Sequence, residues 1–489
     1  MRHGTSKLSA LSLGLLLLAT ACGGGAAPSA APPSAAASSP AAKPSAAASA
    51  AASAKPAASG AASAAASAKP AASGAASGAA SAKPAGSAAA GGPIKLTGGK
   101  VVIGVVNDMT MVYADLGGKN SVVAAQMAVD DWKAANPGAI SDISVVGADH
   151  QNNPQVATNK ANELYDRDGV GMITDVPTSS TALAISQVAA QKHKLFINTT
   201  AAASQLSEGK QYPYGNDGIC NNYTFHYAYD TYMLARGTAP SVVKSGGKDW
   251  YIIYPNYAFG QDMNAQFAAA VKDSGGNVLA SDPSPFPNQT GDFSNLLLKA
   301  PTLHPQVLAA MQAGGDLVNV IKQYNQFKLK DQKIQLAIGL LFDTDIKSVG
   351  PDAIAGVNYT TPWLWSWDDK SKAWADKFKA KAGGALPSFA HAAVYSATYQ
   401  YLEAIKRAGT DDADAVVKAL DSAPINDMFI HNGKISTKDH LMRHDILSAQ
   451  VKPQSEITTP GDYSKILATV PAAEAFRPES ASTCTDITE

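Results

Sequence analysis

The chain has 489 residues, 16% of them charged, and a formal net charge of -1. That balance supplies no basic face or stripe, so a nucleic-acid partner is not expected. No Gly-x-Ser-x-Gly, Gly-Lys-Ser/Thr phosphate loop or zinc motif occurs, and neither an enzyme nor a metal or cofactor protein is expected.

Residues 1–22 have the layout of an export signal. Arg2 and Lys7 precede an apolar run from Leu8 to Ala19 that is too short to span a bilayer as a mature helix. The run ends in Leu18-Ala19-Thr20-Ala21-Cys22-Gly23, which resembles the lipobox of bacterial lipoproteins, where the cysteine becomes the lipidated first residue. The usual Leu three places before the cysteine is replaced by Ala19, with Leu18 one place further back. A secreted protein without lipid is the alternative. Residues 23–99 are almost entirely Ala, Ser, Pro, Gly and Lys, and Lys55-Pro56, Lys69-Pro70 and Lys83-Pro84 recur at a fixed spacing. With no large apolar side chains to bury, this stretch cannot offset its ordering entropy and is expected to be a disordered tether. A coil of about 70 residues reaches roughly 45 Å.

From residue 100 onward the chain is long enough for two lobes. Val101 to Val106 is a continuous apolar run, suited to a buried parallel strand. A loop to Asn120 and a helix ending at Asn136-Pro137-Gly138 follow. Strands at Ile143 to Gly147, Met172 to Val176 and Leu195 to Asn198 alternate with helices at Gln155 to Arg167 and from the hydroxyl-rich turn Thr178-Ser179-Ser180-Thr181 to about Gln191. That turn brings hydroxyls and unpaired helix N–H groups to one spot, fit either for a carboxylate or for plain helix capping. Helices are expected at 230–243, 261–273, 316–327, 370–382, 390–408 and 412–422. Strands are expected at 250–254, 277–280, 306–310, 335–338, 357–361 and 444–451. The alternation predicts parallel βαβ units with ligands at the carboxyl ends of the strands. Asn432-Gly433 suits a tight hairpin turn. No later stretch is apolar for about 18 residues, so no transmembrane helix is expected after the signal. Cys220 and Cys484 are the only cysteines after Cys22, and in an exported protein such a pair is a disulfide candidate.

Several stretches together resemble the leucine/isoleucine/valine-type substrate-binding proteins of ABC transporters. They are Lys100 to Val106, Val112-Tyr113-Ala114 with Gly117-Gly118, Asn153-Pro154, the hydroxyl turn, Asn256 to Gly260, Asp292-Phe293-Ser294, and Gly314-Gly315 leading to Ile321-Lys322-Gln323. Each is weak alone, but their order and spacing hold over nearly all of 100–475. The resemblance implies an α/β protein with the type I periplasmic binding protein fold, in which two Rossmann-like lobes are joined by three hinge crossovers. The bilobal domain would span 100–489. Lobe one would hold about 100–225 and 357–435, and lobe two about 226–356 and 436–475, with a tail at 476–489. Crossovers are expected near Tyr223 to His226, Gly356 to Thr361 and His431 to Asp439.

Position by position, the resemblance puts the ligand carboxylate on Thr178, Ser179 and Ser180, with Thr199 and Thr200 beside them. Tyr113, Tyr257 and Phe259 would complete the wall. Asp343 matches only loosely the acidic residue that meets an ammonium group, and His226 lies at a crossover, as a contact or as a structural residue. A subgroup of the family carries a cysteine at each of the two places, which implies a Cys220–Cys484 bridge; free thiols or an intermolecular bridge are the alternatives. The implied function is an extracytoplasmic, lipid-anchored receptor that binds a small solute, such as an amino acid, amide or aromatic carboxylate, and passes it to ABC permease subunits. A sensor acting through a separate membrane partner is the second class.

Other clusters have competing readings. Trp363, Trp365 and Trp367 would form an aromatic wall if the chain were extended, or pack beside the hinge. His440 and His444 could share a helix face as metal ligands or be a solvated pair. Asp343 and Asp345 could be paired carboxylates or part of a solvated loop.

Overall fold

Val101–Asn107 (β1) is buried along its whole length, and a strand covered on both faces needs an unbroken apolar run rather than alternation. The computed structural model describes residues 93–488. The export signal, Cys22 and nearly all of the 23–99 tether lie outside the described residues. β1 is joined by Ile143–Asp149 (β2), Met172–Asp175 (β3), Leu195–Asn198 (β4) and Thr224–His226 (β5), all parallel in the order β2-β1-β3-β4-β5. The connecting helices are Lys119–Ala135 (α1), Pro154–Asp166 (α2) and Ser179–Lys192 (α3). Asn153 begins α2 by accepting hydrogen bonds from the Gln155 and Val156 N–H groups at 2.9 and 3.2 Å, with proline at the first turn, where its missing N–H costs nothing.

The second lobe repeats the scheme. Thr231–Lys244 (α4), Asp249–Pro255 (β6), Ala258–Asp273 (α5), Asn277–Ser284 (β7), Ser294–Leu303 (α6), Val307–Ala310 (β8), Gly314–Gln326 (α7), Gln335–Ile338 (β9) and Asp343–Val349 (α8) follow in turn. The strands form a parallel sheet in the order β7-β6-β8-β9. No helix was expected at α6, and α8 falls in the stretch of Asp343 and Asp345, for which a solvated loop was one reading.

Asn358–Thr361 (β10) pairs antiparallel with Ile446–Val451 (β13), and β13 with Ser464–Val470 (β14). Thr360 also meets Thr238 of α4 at 3.0 Å, so β10 sits with lobe two. Between β10 and β13 come Asp369–Lys381 (α9), Phe389–Ala408 (α10), Ala413–Asp421 (α11), Lys434–Ile435 (β11) and Met442–Arg443 (β12). Here α9 and α10 pack on α1 of lobe one, and His391 Nε2 bonds the Gly117 carbonyl at 2.9 Å. The first crossover follows β5. The return to lobe one comes after Thr361 rather than before it. The last exit comes after Leu441, because His226 N–H donates to the His440 carbonyl at 3.0 Å and holds that segment on β5. Asn432 does adopt a left-handed φ of 53°, but the β11–β12 hairpin closes beyond Asn432-Gly433, over 436–441.

After β14 the chain forms Ala472–Ala475 (α12) and runs back to lobe one, where Cys484 is bonded to Cys220 with the Cα atoms 5.9 Å apart. Thr483 donates through its N–H and hydroxyl to Glu208 at 2.9 and 2.8 Å, and Glu208 makes a buried ion pair with Arg477. Asn222 and Thr488 exchange two hydrogen bonds. Among the described residues no helix is long and apolar enough to cross a membrane. Replacing both Cys220 and Cys484 by Ser is expected to lower unfolding free energy by about 2 to 5 kcal/mol and to expose the tail to proteases. Denaturant melts and mass spectrometry of the limited digest check this, and unchanged values would show that the hydrogen bonds alone hold the tail.

Candidate ligand-binding site

In each parallel sheet the strand order reverses direction at one place, and a crevice opens there at the carboxyl ends of the strands. In lobe one it lies between β1 and β3, beyond Asn107 and Asp175. In lobe two it lies between β6 and β8, beyond Pro255 and Ala310. The two crevices face each other.

On the lobe-one side Asp108 organises the loop. Its carboxylate accepts from the N–H groups of Thr110, Met111 and Tyr113 at 3.1, 2.7 and 2.7 Å, and from Asn152 Nδ2 at 2.6 Å. Asn152 in turn accepts the Thr178 hydroxyl. Thr178 is therefore the residue before α3 but does not cap it with its side chain. Among the described residues the N–H groups of Ser179 and Ser180 have no partner. Just before them, Asp175 and Val176 hold φ values of 80° and 67°. A β-branched residue rarely takes such a conformation, and strain of this kind concentrates at binding sites. Thr200 donates its hydroxyl to the buried Asp175 carboxyl, which burial raises above its ordinary range. Ser179 accepts from Ala203 N–H at 3.3 Å, and Thr199 lies 3.3 Å from the Thr200 hydroxyl.

Across the cleft, the Tyr113 and Tyr257 hydroxyls lie 2.6 Å apart. Burial and their mutual contact hold Tyr113 protonated, and burial does the same for Tyr257. With one proton shared, the pair keeps one further O–H to donate. Phe286 stacks on Tyr257 at 3.8 Å and lies 5.5 Å from Tyr113, while Phe389 packs against Phe342 and Tyr229 at 4.3 and 5.0 Å. Tyr113, Pro177 and Thr200 of lobe one, with Tyr257, Phe259 and Phe342 of lobe two, line a narrow chamber of about 10 Å³, room for one water at most with the lobes this close. Asp316, in the first turn of α7, is buried and close enough to raise both tyrosines; burial pushes its own carboxyl up to about 6.

The other predicted residues fall elsewhere. His226 is buried, with Nε2 3.0 Å from the Ala201 carbonyl and Nδ1 3.4 Å from Ser207, and desolvation lowers its pKa to about 4. Its geometry is that of a structural residue. Asp343 lies in a wider depression with Asp115, Lys119 and Lys347 rather than in the aromatic chamber, and burial pushes its carboxyl up to about 7. Asp345 is not in a solvated loop: it is buried and accepts from Phe342 N–H at 3.1 Å. The three tryptophans do not form one wall, because the chain turns at 365–366. Trp363 bonds the Met428 carbonyl, Trp365 the Gly461 carbonyl, and Trp367 stacks on His431. His440 and His444 are not a solvated pair but are both buried. The sequence reading missed Asp108, Asn152, Tyr229, Phe286, Asp316, Phe342 and Phe389. The Asp108 N–H contacts are the kind a loop-starting Asp makes, and this was the one signal available for them.

The lobes touch through Gly315 N–H, which donates to the Val112 carbonyl at 3.1 Å. A Cβ on Gly314 would stand 2.7 Å from that carbonyl oxygen, at a φ of 57°. Gly314→Ala is expected to hold the lobes apart, weakening ligand binding roughly tenfold, equal to about 1.4 kcal/mol, and enlarging the radius of gyration. Small-angle scattering and calorimetry check this; unchanged values would show that this contact does not limit closure.

Residues 100–456 match the family model described as periplasmic binding protein. A periplasmic binding protein from Burkholderia mallei is 38% identical, covering 79% of this chain and 99% of its own, with a TM-score of 0.73. A branched chain amino acid ABC transporter periplasmic ligand-binding protein from Burkholderia xenovorans is 32% identical, covering 80% and 100%, with a TM-score of 0.69. The Leu/Ile/Val-binding protein homolog 6 of Brucella melitensis is 25% identical over 329 residues, 65% of this chain and 80% of the relative. Two lobes of parallel sheet, exchanged three times and meeting at their switch points, carry a sequence that matches this model over most of its length: the chain belongs to the periplasmic binding protein family.

Proposed function

We propose that the protein captures a small carboxylate with a ring-bearing or branched body between its lobes and delivers it to the permease of an ABC importer. The observation that carries this reading is the start of α3. Thr178 gives its hydroxyl to Asn152 instead of capping the helix, so the Ser179 and Ser180 N–H groups and the positive end of the helix dipole remain for an anion. The aromatic chamber beside them suits an apolar body. Asp316 suits a donor at the other end, an ammonium group or a ring hydroxyl, while the spare O–H of the tyrosine pair suits an acceptor on the ligand. The similar proteins are transport components, which favours delivery over sensing.

A thermal-shift screen of branched and aromatic amino acids, amides and aromatic carboxylates is expected to give its largest shifts with carboxylates, since a ligand of the folded state stabilises it by mass action. The decisive variant is Ser179→Pro. Proline fits the first helical position, and the extended Thr178 before it tolerates the ring. Against Ser179→Ala, which loses the same hydroxyl but keeps the N–H, it should bind tenfold or more weakly, since hydrogen bonds to charged groups are worth about 1.5 to 3 kcal/mol. Equal affinities would remove the helix start from the site.

We also propose that Cys22 carries the lipid that holds the domain at a membrane, on the strength of the signal and the near-lipobox. A radioactive fatty acid should label the wild type and spare Cys22→Ser, whereas equal labelling of both would exclude it.

A further inference from the structure

The cleft residues of the two lobes are bonded to one another in a way that leaves no space for a solute. Tyr113 comes from the loop after β1 and Tyr257 from the turn that starts α5, and their hydroxyls lie 2.6 Å apart. Neither hydroxyl has another hydrogen-bond partner among the described residues. The Tyr113 side is fixed because the Asp108 carboxylate accepts its N–H at 2.7 Å. The Tyr257 side is fixed by Phe286, which stacks on it at 3.8 Å and lies 5.5 Å from the Tyr113 ring. Leu116 and Ala202 of lobe one and Leu340 and Phe342 of lobe two line the same chamber, so the bond lies where water competes little and a hydrogen bond is strengthened. One residue earlier in the loop, the Val112 carbonyl takes the Gly315 N–H of lobe two at 3.1 Å, and Phe389 of α10 stacks on Phe342 at 4.3 Å. With these contacts made the chamber measures about 10 Å³, the room of one water, whereas pockets for small molecules hold roughly 300 Å³ or more.

We infer that the Tyr113–Tyr257 hydrogen bond is a latch that closes the lobes on each other and has to break before a solute enters. The solute competes with the latch, and its apparent affinity is lowered in proportion to the fraction of molecules that are unlatched. When the lobes close over a solute instead, each hydroxyl exchanges the other tyrosine for a polar group of the solute. A solute without such groups leaves buried hydroxyls unpaired, which is costly, so the pair selects against wholly apolar compounds. Gly314→Ala bars the lobes from meeting whether or not a solute is between them, so it is no test of the latch. The latch matters to function only if the solute binds in this cleft, and its test needs no solute, so a failure of the latch and a failure of that reading are told apart.

The test is hydrogen exchange of the full chain without added solute, read by mass spectrometry of the peptide that carries the Gly315 N–H. Tyr257→Phe keeps the ring on Phe286 and removes only the hydroxyl. Exchange in that peptide is expected to rise roughly fivefold, the shift that loss of an ordinary hydrogen bond gives to a two-state opening. Tyr113→Phe should do the same, and the double variant no more than either single one, because two hydroxyls that bond only each other lose the same interaction. Tyr359→Phe, which removes a buried hydroxyl lying 2.6 Å from Ser464, should leave the peptide unchanged, and the β1 peptide should keep its exchange rate in every variant. Unaltered exchange in Tyr257→Phe, additive effects in the double variant, the same acceleration in Tyr359→Phe, or equal acceleration in β1 would overturn the proposal.

Discussion

The buried Asp108 carboxylate holds the first lobe's half of the cleft in shape. Taking a carboxylate out of water is expensive unless several donors surround it, and here three backbone N–H groups and one amide do so. Because the amide belongs to Asn152 and Asn152 also takes the Thr178 hydroxyl, the loop carrying Tyr113 and the start of α3 are parts of one hydrogen-bonded unit. Any displacement of the loop would leave buried acceptors unpaired on both sides. Preorganisation of this kind lowers the ordering cost of binding.

The opposite lobe meets this unit with a different chemistry. Its switch point offers acceptors, the Asp316 carboxyl and the buried Gln312 amide oxygen, which has no partner among the described residues. Lobe one offers N–H donors. On the proposed reading, a solute with an acceptor at one end and a donor at the other interacts fully only when both lobes reach it, and its binding energy goes into closure. The close approach of Gly314 to Val112 shows how little room the closed form leaves for side chains at the contact.

The parallel strands and most helices were legible in the sequence, because buried runs such as Val101 to Val106 and helix starts such as Asn153-Pro154 are local signals. Sheet membership is not local. Nothing within Asn358–Thr361 tells that it pairs with β13, some ninety residues later, so the lobe exchanges were displaced by a few residues. The hydroxyl turn was legible as a helix start. The diversion of Thr178 to Asn152 was not, since it depends on a residue from a separate loop. The aromatic chamber was half visible: Tyr113, Tyr257 and Phe259 sit in recognisable motifs, whereas Phe342 lines it from another segment and Phe286 and Phe389 pack behind its walls. The tryptophans misled because alternation orders side chains only where the backbone stays extended.

The bond between Cys220 and Cys484 closes a covalent ring across a sequence separation of 264 residues. All of lobe two, both later exchanges and the helices that return to lobe one lie inside it. A pull applied between the two ends of the domain is carried by the sulfur bridge and bypasses everything within the ring. Only the strands and helices before Cys220 lie in the line of force, so lobe two is mechanically shielded.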